Sequence, residues 1–144
     1  MTTAEITNDT IQSIIAQAHG TEHWYREPLS PHLVYTDSIK ALAEECGMYW
    51  FIGVVGTHMP AVLEQFKSTE DTFFTVEMKT DDEHRAVFTI NYEQYNEVTD
   101  EYEEKNVAYQ EIPYVDLPQC EFTLFLELAD WEQQIFCLMC PGDH

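Results

Sequence analysis

At 144 residues the chain is long enough to bury a core and short enough for one domain, and a 44% apolar share separates it from disordered sequences. Twenty-seven acidic residues against six basic ones leave a net charge of −21, which repels nucleic acid, anionic membranes and acidic substrates and draws basic partners. No apolar run reaches the roughly eighteen residues a spanning helix needs, and MTTAEITND lacks the basic-then-apolar start of an export signal, so a cytoplasmic protein is expected.

Asn8 can cap a first helix, with Ile11, Ile14, Ile15 and Ala18 on one face and Gly20 at its end. The stretch GTEHWYREPLSPHLVY, broken by Pro28 and Pro31, reads as a loop. Thr36 or Asp37 caps a second helix that buries Ile39, Leu42, Ala43 and Cys46 and stops at Gly47. Met48 to His58 is apolar on nearly every side and suits a core helix, and Pro60 is placed to open one more turn, AVLEQF. From residue 72 the period becomes two. TFFTVEMKT, RAVFTINYE, NVAYQEIPYV, EFTLFLEL and QQIFCLMC are five strand-like runs with short polar gaps, which favour antiparallel meander pairing. The expected architecture is α+β: an N-terminal three-helix segment (7–66) packed on one face of a roughly five-stranded antiparallel sheet (72–140), all within one domain spanning 1–144.

The stretch GTEHWYREPLSPHLVYTDSIKALAEECGMYWFI carries a pattern: glycine, a small hydroxyl residue, an acid, then aromatic-Tyr-Arg, later Tyr-Thr-Asp, Leu-Ala-Glu and Gly-x-Tyr-Trp. Over residues 20–56 it resembles an uncharacterised domain family of bacteria and phages, known only as a domain of unknown function. The resemblance supplies no catalytic residues. It implies a phage or mobile-element setting, and this chain departs from the family's pattern by loading residues 93–106 with acids.

Side chains for catalysis are sparse. Glu22, His23 and Arg26 are neighbours, yet adjacent side chains seldom converge on one atom, so Trp24 and Tyr25 are expected to anchor the loop while Arg26 pairs with Glu22 or Asp37. The six histidines show no metal-ligand spacing, and no phosphate loop or nucleophile elbow occurs. Cys137 and Cys140 have no matching second pair and fall in a strand-like run, so they and Cys46 and Cys120 are expected as buried reduced thiols. No cofactor or metal is expected. A small enzyme built on the Glu22–Arg26 loop with His58 or His84 remains as a minor alternative.

The charge is concentrated. Thirteen carboxylates lie between Glu64 and Glu104 against Lys67, Lys79 and Arg85. Spread evenly over a surface on the order of 7,600 Å², −21 averages about one charge per 360 Å². Duplex DNA carries one per about 1.7 Å of axis, on the order of 100 Å². Within YEQYNEVTDEYEEK, an extended chain places Glu97, Glu101 and Glu103 on one side and Asp100 and Glu104 on the other, at about 6.6 Å steps close to phosphate spacing; a helix makes a single stripe instead. Tyr92, Tyr95, Tyr102 and Tyr109 interleave as interface anchors. The expected contact set is Glu93, Glu97, Asp100, Glu101, Tyr102, Glu103 and Glu104, with Asp81, Asp82 and Glu83 flanking if the two turns share an end of the sheet. The expected function is an acidic DNA-mimic inhibitor, phage- or mobile-element-encoded and acting in the host cytoplasm. Its partner would be a basic nucleic-acid-binding protein: a CRISPR effector first, then a restriction enzyme or DNA-repair glycosylase. The alternative is an acidic interaction or assembly module whose charge serves solubility.

Overall fold

The computed structural model describes residues 6–144. Residues 1–5, part of the stretch weighed above as an export signal, lie outside the described residues. Three α-helices, α1 (Asn8–Ala16), α2 (Asp37–Cys46) and α3 (Tyr49–Thr69), accompany seven strands: β1 (Trp24–Arg26), β2 (Leu33–Thr36), β3 (Phe73–Thr80), β4 (Ala86–Asn96), β5 (Glu101–Ile112), β6 (Cys120–Asp130) and β7 (Ile135–Met139). A 3₁₀ turn, Pro141–Asp143, follows β7. The strands form one mixed sheet in the order β1-β2-β7-β6-β3-β4-β5, antiparallel throughout except where β2 runs parallel to β7.

The α+β class therefore holds, but five antiparallel strands after an all-helical segment do not. The segment expected as a loop contributes β1 and β2 between α1 and α2, because Leu33-Val34-Tyr35-Thr36 buries all four side chains against β7. The meander also stops at β5. The connection to β6 runs back beneath the β3–β4 turn, where the Val115 N–H donates to the His84 carbonyl at 2.8 Å and His84 Nδ1 meets the Leu117 carbonyl at 2.9 Å. β6 can then pair with β3 and bury Leu124 and Leu126 centrally.

α1 takes its cap from Thr7, whose hydroxyl accepts from the Thr10 N–H, rather than from Asn8. α2 is as expected: Ile39, Leu42, Ala43 and Cys46 are buried, and Gly47 ends it in the left-handed conformation. α3 differs, since Pro60 lies inside one 21-residue helix. A proline forfeits one backbone hydrogen bond, yet Phe51, Ile52, Val55, Met59, Val62 and Phe66 form a continuous buried stripe that holds the helix through it. That stripe lies on the sheet face of Phe74, Val76 and Met78: the Phe51 ring meets Phe88 and Phe122 edge-on at 5.7 and 5.5 Å, and Phe66 meets Phe136 at 5.8 Å. All four cysteines are buried and free, and burial pushes the Cys137 and Cys140 thiols up to about 12 and about 11. Among the described residues no helix is long and apolar enough to cross a membrane.

The C-terminal turn seats tightly against the end of α1. A Cβ added at Gly142 would stand 2.0 Å from the Ala18 carbonyl oxygen. Gly142→Ala should therefore cost about 1–3 kcal/mol through overpacking, read as a lowered denaturant midpoint at constant m-value; an unchanged midpoint would show that the turn does not seat there.

Candidate functional site

Two regions compete for the role of site. The first is the motif-rich loop before α2. Thr21 reaches across to the helix start, where its hydroxyl accepts the Asp37 N–H at 2.9 Å. The Asp37 carboxylate accepts from the Glu22 and His23 N–H groups at 2.9 and 3.3 Å and from the Tyr25 hydroxyl at 2.9 Å. These hydrogen bonds, the Glu22 N–H foremost, hold its pKa at about 2. Beside it the Asp143 carboxylate accepts from the Gly20 N–H at 3.0 Å and the Thr36 hydroxyl at 2.8 Å, and it also takes the Ser38 hydroxyl. Both carboxylates are fully occupied in tying the first loop and the C-terminal turn to the start of α2.

That arrangement is a clasp, and its details correct the expectations above. Asp37 is held by backbone and tyrosine donors, and no ion pair to Arg26 forms among the described residues. Tyr25 anchors the loop, stacked on Tyr35 at 5.6 Å with the Lys40 ammonium 4.5 Å from its ring, whereas Trp24 is 59% exposed. His58 bonds Gln110 at 2.7 Å and stacks on Phe88, and neither it nor His84 lines the cavity beside the loop.

The second region is the sheet face that α2 and α3 leave uncovered. Near β2 and β7 this face is closed by the C-terminal turn. Across β6, β3, β4 and β5 it is open. Strand alternation puts Phe74, Val76, Met78 and Phe88 under the helices, so their neighbours point the other way. Register then brings together Glu77, Glu93, Glu104, Glu111, Glu121 and Glu127, opposed at one end by Lys79 and by Arg85, which lines a pocket with Lys79, Asp81 and Glu111, and with His144 paired to Glu127 at 3.0 Å along one margin. Glu93 stands directly opposite Glu104, a like-charge cross-strand pair of the kind that destabilises a sheet. Partial burial pushes the Glu77 carboxyl up, and the charges of Glu104 and Glu121 push it further. Aromatic side chains line the same face: Phe73 and Phe125, 4.9 Å apart, and the cross-strand pair Tyr95 and Tyr102, 5.3 Å apart.

Density can be compared with DNA. Four strands about 4.8 Å apart and six residue steps of about 3.4 Å enclose about 400 Å², so a net of five charges gives about 80 Å² per charge. The whole molecule averages about 410 Å² per charge, from −21 over 8607 Å². The open face approaches the density of a duplex, and the molecular average does not.

The expected contact residues divide. Glu93, Tyr102 and Glu104 lie on the open face. Glu101 and Glu103 alternate to the other side of the β4–β5 arm, where Glu103 is held by Asn96 at 3.0 Å and Lys105 at 3.2 Å, both of which lower its pKa. Glu97 and Asp100 sit in the four-residue turn, with Asp100 in the left-handed conformation and bonded by the Tyr95 hydroxyl. The rows drawn from sequence spacing therefore do not form, because residues 97–100 turn instead of extending. Asp81, Asp82 and Glu83 occupy the opposite end of β4, about 34 Å away along the strand. There Asp81 accepts from the Arg85 and Glu83 N–H groups and the Arg85 guanidinium, all at 2.9 Å, and Arg85 also pairs with Glu83 at 3.2 Å. Glu77, Glu111, Glu121 and Glu127 were missed, although each falls out of phase with the apolar residues of its strand. That signal could have found them.

These contrasts set three stability predictions. Thr21→Val should cost about 1 kcal/mol, as losing a helix cap does. Asp37→Asn should flatten the acid limb of the stability profile, since a folded pKa near 2 below an unfolded value near 3.9 supplies stability that is full above about pH 4 and lost as pH falls toward 2. An unaltered acid limb would exclude the clasp. On the open face the sign reverses: Glu104→Gln should stabilise by about 0.5 kcal/mol at neutral pH and low salt. The gain should shrink in high salt, and also as acidification protonates Glu77, whose raised pKa makes its charge a penalty only at higher pH. A destabilised Glu104→Gln would show that the pair is not repulsive.

No curated protein and no solved structure matches the chain. A family match spans residues 9–144, far beyond the motif at 20–56 and through every strand. The chain belongs to the family of unknown function DUF6876.

Proposed function

We propose that this protein is an acidic DNA mimic, which lays its open sheet face on the basic nucleic-acid-binding surface of a protein partner and competes with DNA for it. The observation that carries this reading is the density of charge on that face, six carboxylates against Lys79, with Arg85 at the far end already paired to Asp81. Carboxylates crowded at this density repel one another in the free protein, and a docked lysine- or arginine-rich surface relieves that repulsion. A host defence nuclease is the favoured partner class. An RNA-guided effector leads, because its PAM-reading arginines and its basic duplex channel accept a compact anion; restriction enzymes and repair glycosylases follow. Glu93, Tyr102 and Glu104 are the central contacts. Glu97, Asp100, Glu101 and Glu103 form an outlying rim.

A second reading, an acidic assembly module, draws on the pairing of Asp81 and Glu83 with Arg85 and of Glu103 with Lys105, which leaves those acids with solvating and turn-forming roles. Charge reversal separates the two. DNA binding by a purified RNA-guided effector, a restriction endonuclease and a repair glycosylase would be measured with and without this protein. The mimic predicts competition against at least one, weakening about tenfold or more as salt rises from about 50 to about 200 mM. It also predicts loss of competition in Glu93→Lys/Glu104→Lys, with Asp82→Lys unaffected. Competition that survives the double reversal, or none against any of the three, would sink the mimic.

A further inference from the structure

Where the β4–β5 arm leaves the helical layer, the open face deepens into a cleft of about 620 Å³. Glu77, Glu93 and Glu104 line it, together with Phe73, Tyr102 and Phe125, and no lysine, arginine or histidine does. Glu70 and Asp71, from the connection between α3 and β3, close the near wall.

We infer that this cleft is a recognition pocket for an arginine side chain of the partner, deepening the docking reading above and resting on it. Two independent features of the unpartnered face select that occupant. The first is charge: the cleft is lined by carboxylates on three neighbouring strands, with no cation lining it among the described residues, and the His144 ring, 5.4 and 5.7 Å from Phe73 and Phe125, is paired to Glu127 outside it. The directly opposed Glu93 and Glu104 offer two acceptors roughly 5 Å apart at Cβ, suited to the planar fork of a guanidinium. The second is shape and wall chemistry. The concavity is large enough for a side chain with its flanking backbone, and its rings provide faces on which a guanidinium stacks better than a compact ammonium does. A purely solvating acidic face would need neither the hollow nor the aromatic wall. Tyr102 is 69% exposed on its own, so a stacked arginine would cover an aromatic surface the free protein leaves in water.

The experiment uses the full chain and two probe peptides of equal length and charge, one alternating arginine and glycine, the other lysine and glycine. Binding is followed by aromatic and amide NMR shifts and by calorimetry. Expected is a preference of about fivefold or more for the arginine peptide, with shifts centred on Phe73, Tyr102 and Phe125. Tyr102→Leu should abolish the preference while leaving the charge intact, and Glu77→Gln should weaken binding of the arginine peptide more than Glu97→Gln does. Equal affinity for both peptides, or a preference that persists in Tyr102→Leu, overturns the pocket. The two proposals fail separately. Nuclease competition that is indifferent to Tyr102→Leu and Glu77→Gln removes the pocket, and Tyr102 as a contact, and leaves a mimic carried by Glu93 and Glu104, whereas arginine selectivity without competition against any nuclease removes the mimic and leaves the pocket.

Discussion

One-sided burial of the sheet decides where the charge goes. α2 and α3 cover a single face, and the alternation of side chains along β3, β4 and β6 sends every second residue to the other. Under the helices sit Phe74, Val76, Met78, Phe88, Leu124 and Leu126, all almost fully buried. A strand residue out of phase with these must tolerate water, and in this chain such positions are filled with Glu77, Glu121 and Glu127. A solvated face on an antiparallel sheet is ordinary. So large an excess of one sign of charge is not, because mixed charges keep a surface soluble without internal repulsion.

The same residue type does opposite work at two places. Asp37 and Asp143 are aspartates whose oxygens are saturated by N–H and hydroxyl donors, and they knit three distant segments of the chain. Glu93 and Glu104 face each other with no such donors among the described residues. Hydrogen bonding to the charged form lowers a carboxyl pKa, while burial and like charges raise it, and Asp37 and Glu77 show both outcomes within one fold. The hydrogen-bonded acids that hold the structure together and the crowded acids of the sheet are thus separated physically, at the α2 end of the molecule and on the bare sheet face.

What could be read from sequence followed local chemistry. α2 was legible because Thr36-Asp37, a clean apolar stripe and Gly47 mark its two ends and its face. The five later strands were legible from their period of two. β1 and β2 were not, since three and four residues between prolines give too short a window for periodicity. Pro60 misled because its local cost is overridden by the long buried stripe of α3. Strand order was the deepest loss: nothing within β6 says that it pairs with β3 and not with β5. Consequently the acids were grouped by neighbourhood in the chain, which joined Glu101 and Glu103 to Glu104 across two sides of one strand. The true grouping, of Glu77 with Glu104 and Glu121, links three strands and exists only after folding.

Solubility alone does not account for the placement of Glu93 opposite Glu104. Net charge keeps molecules apart wherever on the surface it resides, so a chain under pressure only for solubility loses nothing by setting one of the pair out of register. Edge protection does not account for it either. β5 is an outer strand, and charges guard such edges against pairing with other chains, yet Lys105 with Glu101 and Glu103 already serves that purpose on the strand itself. Glu93 is on β4, inside the edge, where its charge guards nothing and costs sheet stability. A cost borne at an interior position, beside exposed aromatic rings and a hollow, is what a surface shaped for a cationic partner requires, and neither of the plainer explanations asks for it.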